Sequence, residues 1–537
     1  MNYFLRSALA IGIVSILAGL LGSVVQTQIN LSTLGGLNVP VPVPLRIQVS
    51  LEDLARFSLV MSAIAMGGLT PALVATHLLS RAFSIKWWSW LYSVAGFFGF
   101  WAFFWAMSFI TPMPNLIVAT EHTSGRIAMC LVGLLAGLTY RYLNFGEYWI
   151  RNSQRRLILL TYAMIVVGIL SALAFWFFAP RANEKVTVTN ASGYMLQTVV
   201  GGLHHPWSLA FLPDGSTLVT ERAGRLILVR RNGLVSYLSL EGLPGVRVDR
   251  SPGRLMDVLV DPEFSSNNYV YFTMVYADNE LMGTRLVRAK LVLDRLEDFH
   301  TLFSGSLKSN DGNNGGALAF LPDRTILLTI GDGELRSEAQ NQLSSFGKIV
   351  RIRADVDIFT GDPYHNLSDG LPEIYSMGHR NPQGITVARS GKEVLSVEHG
   401  PRGGDELNII VAGGNYGWPI VSAGVDYSFA RISPFFSSAD YRAPLFEWTP
   451  SIAPSRLVIY EEHLFEEWHS NIFVATLKDK SVRRIIRKNG LVMKEERLLA
   501  ELGERFRDIK VGQDGAIYVL TDGENAKLLR MVPATIK

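Results

Sequence analysis

Residues 209–220 read LAFLPDGSTLVT, residues 317–329 read ALAFLPDRTILLT, and residues 509–521 read IKVGQDGAIYVLT. Each is an apolar run, a turn built on Asp, and a second run of alternating apolar residues, which is the pattern of a β-hairpin. Weaker relatives lie at 259–273 and 385–397. Hairpin units recurring at roughly fifty-residue spacing indicate a β-propeller, whose blades expose only short, protected edges. The roughly 350 residues of this half predict six or seven blades, with ligands bound where inter-strand loops gather around the central channel.

The chain before these repeats is different. Up to about residue 180 it is dominated by apolar runs, and a bilayer crossing needs roughly 17–25 such residues. Five candidate spans are read at 5–25, 57–79, 88–110, 127–143 and 157–178. The first is longer than the apolar region of a signal peptide and is followed by further spans, so it reads as an anchor. Orientation follows from Lys and Arg in the connections. With the N-terminus inside, the inner side holds Arg6, Arg81, Lys86, Arg141, Arg151, Arg155 and Arg156. The outer side holds Arg46, with Arg56 and Arg126 at span edges. The expected organisation is a transmembrane helical domain (1–180), a linker (181–192) and an all-β propeller (193–537). The membrane would be a bacterial inner membrane, with the N-terminus cytoplasmic and the propeller periplasmic.

Composition removes several function classes. A net charge of +3 with no Lys/Arg-rich run gives no nucleic-acid footprint, and the single cysteine, Cys130, allows neither an intrachain disulfide nor a Cys-based metal motif. The spans carry almost no ionisable residues, and His77 and His122 fall near opposite faces, so paired haem ligation is not expected.

Polar, Gly-rich loops concentrate between residues 373 and 419. They include GHRNPQG (378–384), EHGPRGGDELN (398–408) and GGNYGWP (413–419). With PWSLAFLPDG (206–215), PSIAPS (450–455) and ERFRD (504–508), these motifs in this order resemble the glucose/sorbosone dehydrogenase family. Those proteins are six-bladed propellers that use pyrroloquinoline quinone (PQQ), and the likeness is strongest to the aldose sugar dehydrogenase branch. The resemblance covers about 203–533 and excludes the spans.

The resemblance implies site residues. PQQ carries three carboxylates and an o-quinone, so its pocket needs fixed cations and donors. The matching positions are Arg380, Asn381, Lys478, Arg505 and Arg507, with Arg380 polarising the quinone carbonyl. Calcium is implied at two places: the carbonyls of Gly400 and Pro401 beside the cofactor, and a structural ion at Glu406 and Tyr416. Oxygen donors suit such a hard cation. His379 and His399 have no third partner at metal spacing and read as hydrogen-bonded structural residues.

Two departures from the family pattern stand out. The family's catalytic His is replaced by Asn313, in NNGGAL (313–318), and Ala317 stands where an Arg is expected. A Gln that normally reaches the cofactor is also missing from SPGRLMDVLVDPEF (251–264), where Pro252 and Arg254 stand instead. An amide cannot take the substrate's hydroxyl proton, and loss of a positioned base slows such reactions by about 10² to 10⁴. Asp311, His204 and His205 are the candidate replacements.

Two functions follow as expectations. One is a PQQ-dependent dehydrogenase that oxidises a sugar or other alcohol and passes electrons to a membrane quinone or a periplasmic carrier. The other is a propeller that binds cofactor or sugar without turnover and serves as an assembly subunit of a membrane complex.

Overall fold

In the computed structural model the repeated hairpins pair as their alternation requires. The structure describes residues 3–37, 39, 41–82, 90–110, 120, 123–145, 188–190, 193–243, 254–354 and 370–534. These fall into two units, one of Met1–Pro180 with Val425–Pro434, the other of Arg181–Gly424 with Phe435–Lys537.

The first unit is helical: α1 (Tyr3–Gly36), α2 (Val43–Ala82), α3 (Leu91–Ile110) and α4 (Thr123–Phe145). The described residues hold three helices long and apolar enough to cross a membrane, Arg6–Leu34, Val43–Ser80 and Thr123–Leu143, and not the five expected from sequence. The apolar stretch of α3, Leu91–Met107, is shorter, and the fifth expected span lies outside the described residues. The apolar count also misjudged length, because α2 starts at Val43 and takes in Arg46, Glu52, Asp53 and Arg56. Small residues bring the helices together. A side chain on Gly96 or Gly133 would collide with the backbone of the other, and one on Gly99 would lie 2.7 Å from Gly68 O, so only glycine permits these backbones to approach so closely. Asp53, fully buried, accepts from Thr27 Oγ1 at 2.7 Å and from the Arg431 backbone N–H at 3.0 Å. The Arg431 guanidinium meets Glu52 at 2.5 Å, so this carboxylate pair is not left unpartnered.

The second unit is a propeller of six sheets. The innermost strands are Pro206–Phe211, Leu255–Val260, Leu318–Phe320, Pro382–Val387, Pro454–Ile459 and Arg505–Val511, one per blade. The ring is closed in the last blade, where Tyr194–Leu203 pairs antiparallel with Ala526–Pro533, Met195 opposite Val532. Blade faces pack through Leu, Ile, Val and Phe side chains of the alternating strands, for example Leu218, Leu226, Val258 and Phe272 across the first two blades.

Threonines that end the sequence repeats clasp neighbouring blades. Thr220 Oγ1 donates to Met256 O at 2.6 Å, Thr273 Oγ1 to Gly316 O at 2.6 Å and Thr329 Oγ1 to Pro382 O at 2.9 Å. In the interior, Arg456 pairs with Asp257 and, at 3.0 Å, with Asp508. Asp257 also accepts from Ser208 Oγ at 2.5 Å and from Leu318 N at 2.7 Å. This network ties the first, second, third, fifth and sixth blades around one cation.

Candidate active site

The turns that carry the candidate residues follow directly from blade geometry. Asn313 sits just before the third blade's first strand in a left-handed conformation, φ 44°, which Asn tolerates better than most residues. Its Nδ2 donates to Asp332 Oδ1 at 2.8 Å. Asp332 follows the blade's second strand and is almost fully buried; its other oxygen accepts from Trp418 Nε1 at 2.8 Å, and its backbone N–H donates to Arg380 O at 2.7 Å. Gly331 allows this crowding, because a Cβ there would collide with Asn313 O and lie 2.9 Å from Asn381 Oδ1. Asn381 Oδ1 accepts from Gly315 N at 3.3 Å and from Gln383 Nε2 at 2.9 Å. Asn313, Asp332, Arg380, Asn381 and Trp418 therefore form one polar group across the third and fourth blades.

Cations gather beside it. The Arg380 guanidinium lies over the Trp418 ring, 5.6 Å from its centroid, and donates to His399 O at 3.1 Å and Gly400 O at 2.9 Å. Burial, then the fields of Arg380, Arg507 and Arg505, hold the His399 imidazole down to about 3, so it is neutral and the three arginines converge on its neighbourhood. Arg505 and Arg507 reach the same Asp522 oxygen, at 3.0 Å and 3.3 Å, as expected for residues two apart on a strand. The Arg507 guanidinium covers the Trp207 ring at 4.5 Å. Arg507 Nε, Asp522 Oδ1 and His399 Nε2 are buried without a hydrogen-bond partner, polar atoms that a bound polyanion with acceptor and donor edges would satisfy. The residues present thus fit PQQ. Lys478 is exposed on the turn between Ile472–Thr476 and Val482–Lys488.

The calcium positions give a mixed picture. Glu406 stands opposite both Glu398 and Glu447 in the fourth blade. Burial and the facing Glu398 carboxylate raise its proton affinity well above the ordinary range. Asn408 Nδ2 bridges Glu398 at 2.9 Å and Glu406 at 3.0 Å. The Tyr416 hydroxyl is committed to Ile409 O at 2.6 Å and to Val411 N at 3.0 Å, leaving its backbone carbonyl as the available donor. Gly400 O is taken by Arg380, and Pro401 is buried beside it. Among the described residues no three or more His, Cys, Asp or Glu side chains converge as a metal site.

His379 behaves as read from sequence: fully buried, bonded to Ser376 Oγ at 2.9 Å and Glu398 at 3.1 Å, and stacked on Tyr416. The candidate replacement bases fare differently. Asp311 is paired with Arg254, and His205 Nδ1 faces Asp522 at 3.8 Å. Pro252 lies outside the described residues. The residues that sequence reading missed are Asp332, Trp418 and Asp522. A signal for two of them was present: an acid follows the terminal Thr of each strong repeat, directly as Glu221 and Asp522 and three residues on as Asp332.

Known proteins agree with this geometry. Residues 203–530 match the family model described as glucose/sorbosone dehydrogenase. The chain is 35% identical to an aldose sugar dehydrogenase of Escherichia coli over 62% of this chain and 91% of that protein. It is 26% identical to quinoprotein glucose dehydrogenase B of Acinetobacter calcoaceticus over 64% and 88% of the respective chains. The PQQ-bound form of an aldose sugar dehydrogenase from Streptomyces coelicolor superposes with a TM-score of 0.52 at 25% identity, covering 64% of this chain and all of that one (100%). With more than half its length matched by that model, and six blades carrying the site, the chain belongs to the glucose/sorbosone dehydrogenase family.

Proposed function

We propose that this protein is a membrane-anchored, periplasm-facing dehydrogenase that oxidises an aldose or related alcohol with PQQ. The observation that carries this reading is the pair Arg505 and Arg507 on one Asp522 oxygen, with Arg380 on the His399 and Gly400 carbonyls and Arg507 Nε and His399 Nε2 buried without partners. A triply carboxylated cofactor needs that arrangement, because fixed guanidinium forks bind carboxylates in pairs of charge-assisted hydrogen bonds. Arg505 and Arg507 would hold carboxylates, Asn381 and Lys478 would add donors, and Arg380 would stabilise negative charge developing on the quinone oxygen. Calcium would be held by the carbonyls of Gly400 and Pro401, and a second ion by Glu406 with the carbonyl of Tyr416. When bound, the cofactor supplies a two-electron acceptor for hydride. Electrons would leave to a membrane quinone or a periplasmic carrier.

A second reading is a binding or assembly subunit without turnover. Asn313 favours it, since its amide has no basic site and one of its two N–H groups is held by Asp332. The test uses the full chain in detergent or nanodiscs, titrated with PQQ and calcium and followed by cofactor absorbance, then by dye reduction with a panel of aldoses. Binding with turnover supports the dehydrogenase; binding without it supports the second reading. A chain that binds no PQQ excludes both.

A further inference from the structure

A second carboxylate, Glu334, lies beside the Asn313 turn. The Glu334 backbone N–H donates to the same Asp332 oxygen that anchors Asn313, at 2.8 Å in each case. Glu334 is held there with φ 64°, a left-handed conformation that a Glu rarely adopts and that clusters at functional sites. Its carboxylate lies against Gly312, the residue preceding Asn313, so closely that a side chain on Gly312 would collide with Glu334 Cδ and Oε1. Glu334 is only partly buried, so it remains open to a ligand.

The charges around it are mixed. Burial first, then the neighbouring Asp332 carboxylate, raise the proton affinity of Glu334, while Lys308, Arg380 and Arg336 oppose the rise. Lys308 is buried, and its Nζ has no hydrogen-bond partner. Its stem runs past Gly333, where a Cβ would stand 2.9 Å from Lys308 Cδ. Lys308 in turn feels Asp332, Glu334, Asp311 and Arg254. The carboxylate of Glu334 thus lies against the Asn313 turn, at Gly312, and its charge is felt by the arginine assigned to the quinone oxygen.

We propose that Glu334 is the catalytic base of this chain, taking the role that Asn313 cannot perform; this rests on the dehydrogenase reading above. The substrate's hydroxyl O–H bond breaks and its proton forms an O–H bond on a Glu334 carboxylate oxygen. The electron pair left on oxygen becomes the second C–O bond of the product carbonyl. The C–H bond breaks with its pair going to bound PQQ, which is reduced by two electrons as the sugar is oxidised. A carboxylate whose proton affinity is raised is better matched to this task than an ordinary surface Glu. Asn313 and Asp332 then serve to orient the hydroxyl and the Glu334 turn.

The test compares the wild-type full chain with Glu334→Gln, Glu334→Ala and the double variant Glu334→Gln/Asn313→His, all loaded with PQQ and calcium. Expected results are unchanged PQQ affinity in Glu334→Gln, a fall in kcat of about 10² to 10⁴, and partial recovery of Glu334→Ala by added formate. The double variant recovers activity through an imidazole on the Asp332 anchor. A readout independent of turnover uses the cofactor-free chain: pH-dependent acylation of Lys308, read by peptide mass spectrometry, shifts to lower pH in Glu334→Gln because a neighbouring anion has gone. Wild-type turnover with a Glu334→Gln rate within about threefold of it, or no shift at Lys308, overturns the proposal while leaving the dehydrogenase reading intact. A wild-type chain that binds PQQ and oxidises no aldose overturns both.

Discussion

Asn313 and Asp332 are joined by a 2.8 Å hydrogen bond from amide to carboxylate, and the same carboxylate holds the Trp418 indole at 2.8 Å. Asp332→Ala would leave the Trp418 N–H buried without an acceptor, at a cost of about 1–3 kcal/mol. We expect lower unfolding midpoints for this variant in urea, together with loss of turnover because the Asn313 and Glu334 turns lose their common anchor.

Arg507→Ala removes a buried guanidinium that faces Asp522 at 3.3 Å. Truncating one partner of a buried charge pair typically costs about 2–5 kcal/mol. PQQ affinity should fall by about 30-fold or more on that scale, measured by equilibrium titration, with weaker effects for Arg505→Ala because Arg505 is about half exposed.

Arg456 is paired with Asp257 and Asp508, and all three are buried. Arg456→Leu would strand two carboxylates in the interior, a change that destabilises by about 3–5 kcal/mol. The propeller of this variant should unfold at markedly lower denaturant, and the loss should shrink at acid pH, because against the effect of burial Arg456 holds Asp257 below the ordinary carboxylate range, a stabilisation that is lost as Asp257 is protonated.

Lys308 is pushed down to about 8, chiefly by burial. Between this value and the ordinary lysine range near 10.5 the unfolded chain binds more protons than the folded one, so this residue makes stability rise with pH across that window. Lys308→Met should flatten the rise. A stability-against-pH curve from pH 7 to 11 for both proteins checks the difference.

Gly133 lies against the Gly96 carbonyl. Gly133→Val forces α3 and α4 apart, and the purified variant should give a broadened or aggregated profile in detergent size exclusion.

Much of the fold was legible because its repeats are local. The alternation in 209–220, 317–329 and 509–521 specifies hairpins, and the terminal threonines of two of them prove to be the clasps between blades. The helical half was less legible. Counting apolar residues does not reveal that α2 begins at Val43, because Glu52 and Asp53 read as loop residues until Arg431 and Thr27 supply their partners. Within the site, Arg380, Asn381, Arg505 and Arg507 stand in motifs, whereas Asp522 carried only the weaker signal of an acid after a repeat's threonine, and its contact with Arg505 depends on the strand pairing that sets the two opposite.

The sequence by itself determined that this chain is a propeller preceded by apolar helices, with Arg380, Arg505 and Arg507 in motifs that resemble one family and an amide where that resemblance expects a histidine. Periodicity and motif order suffice for that, because each is written over a few consecutive residues. Only the tertiary structure decided which acids stand beside Asn313. Asp332 and Glu334 follow the blade's second strand, about twenty residues on, and its antiparallel pairing with the first strand brings one shared carboxylate oxygen to 2.8 Å from each donor at the Asn313 turn. That juxtaposition depends on the hairpin's register, Leu318 opposite Leu328, and the alternation that predicts the hairpin does not fix which side chains meet beyond its ends.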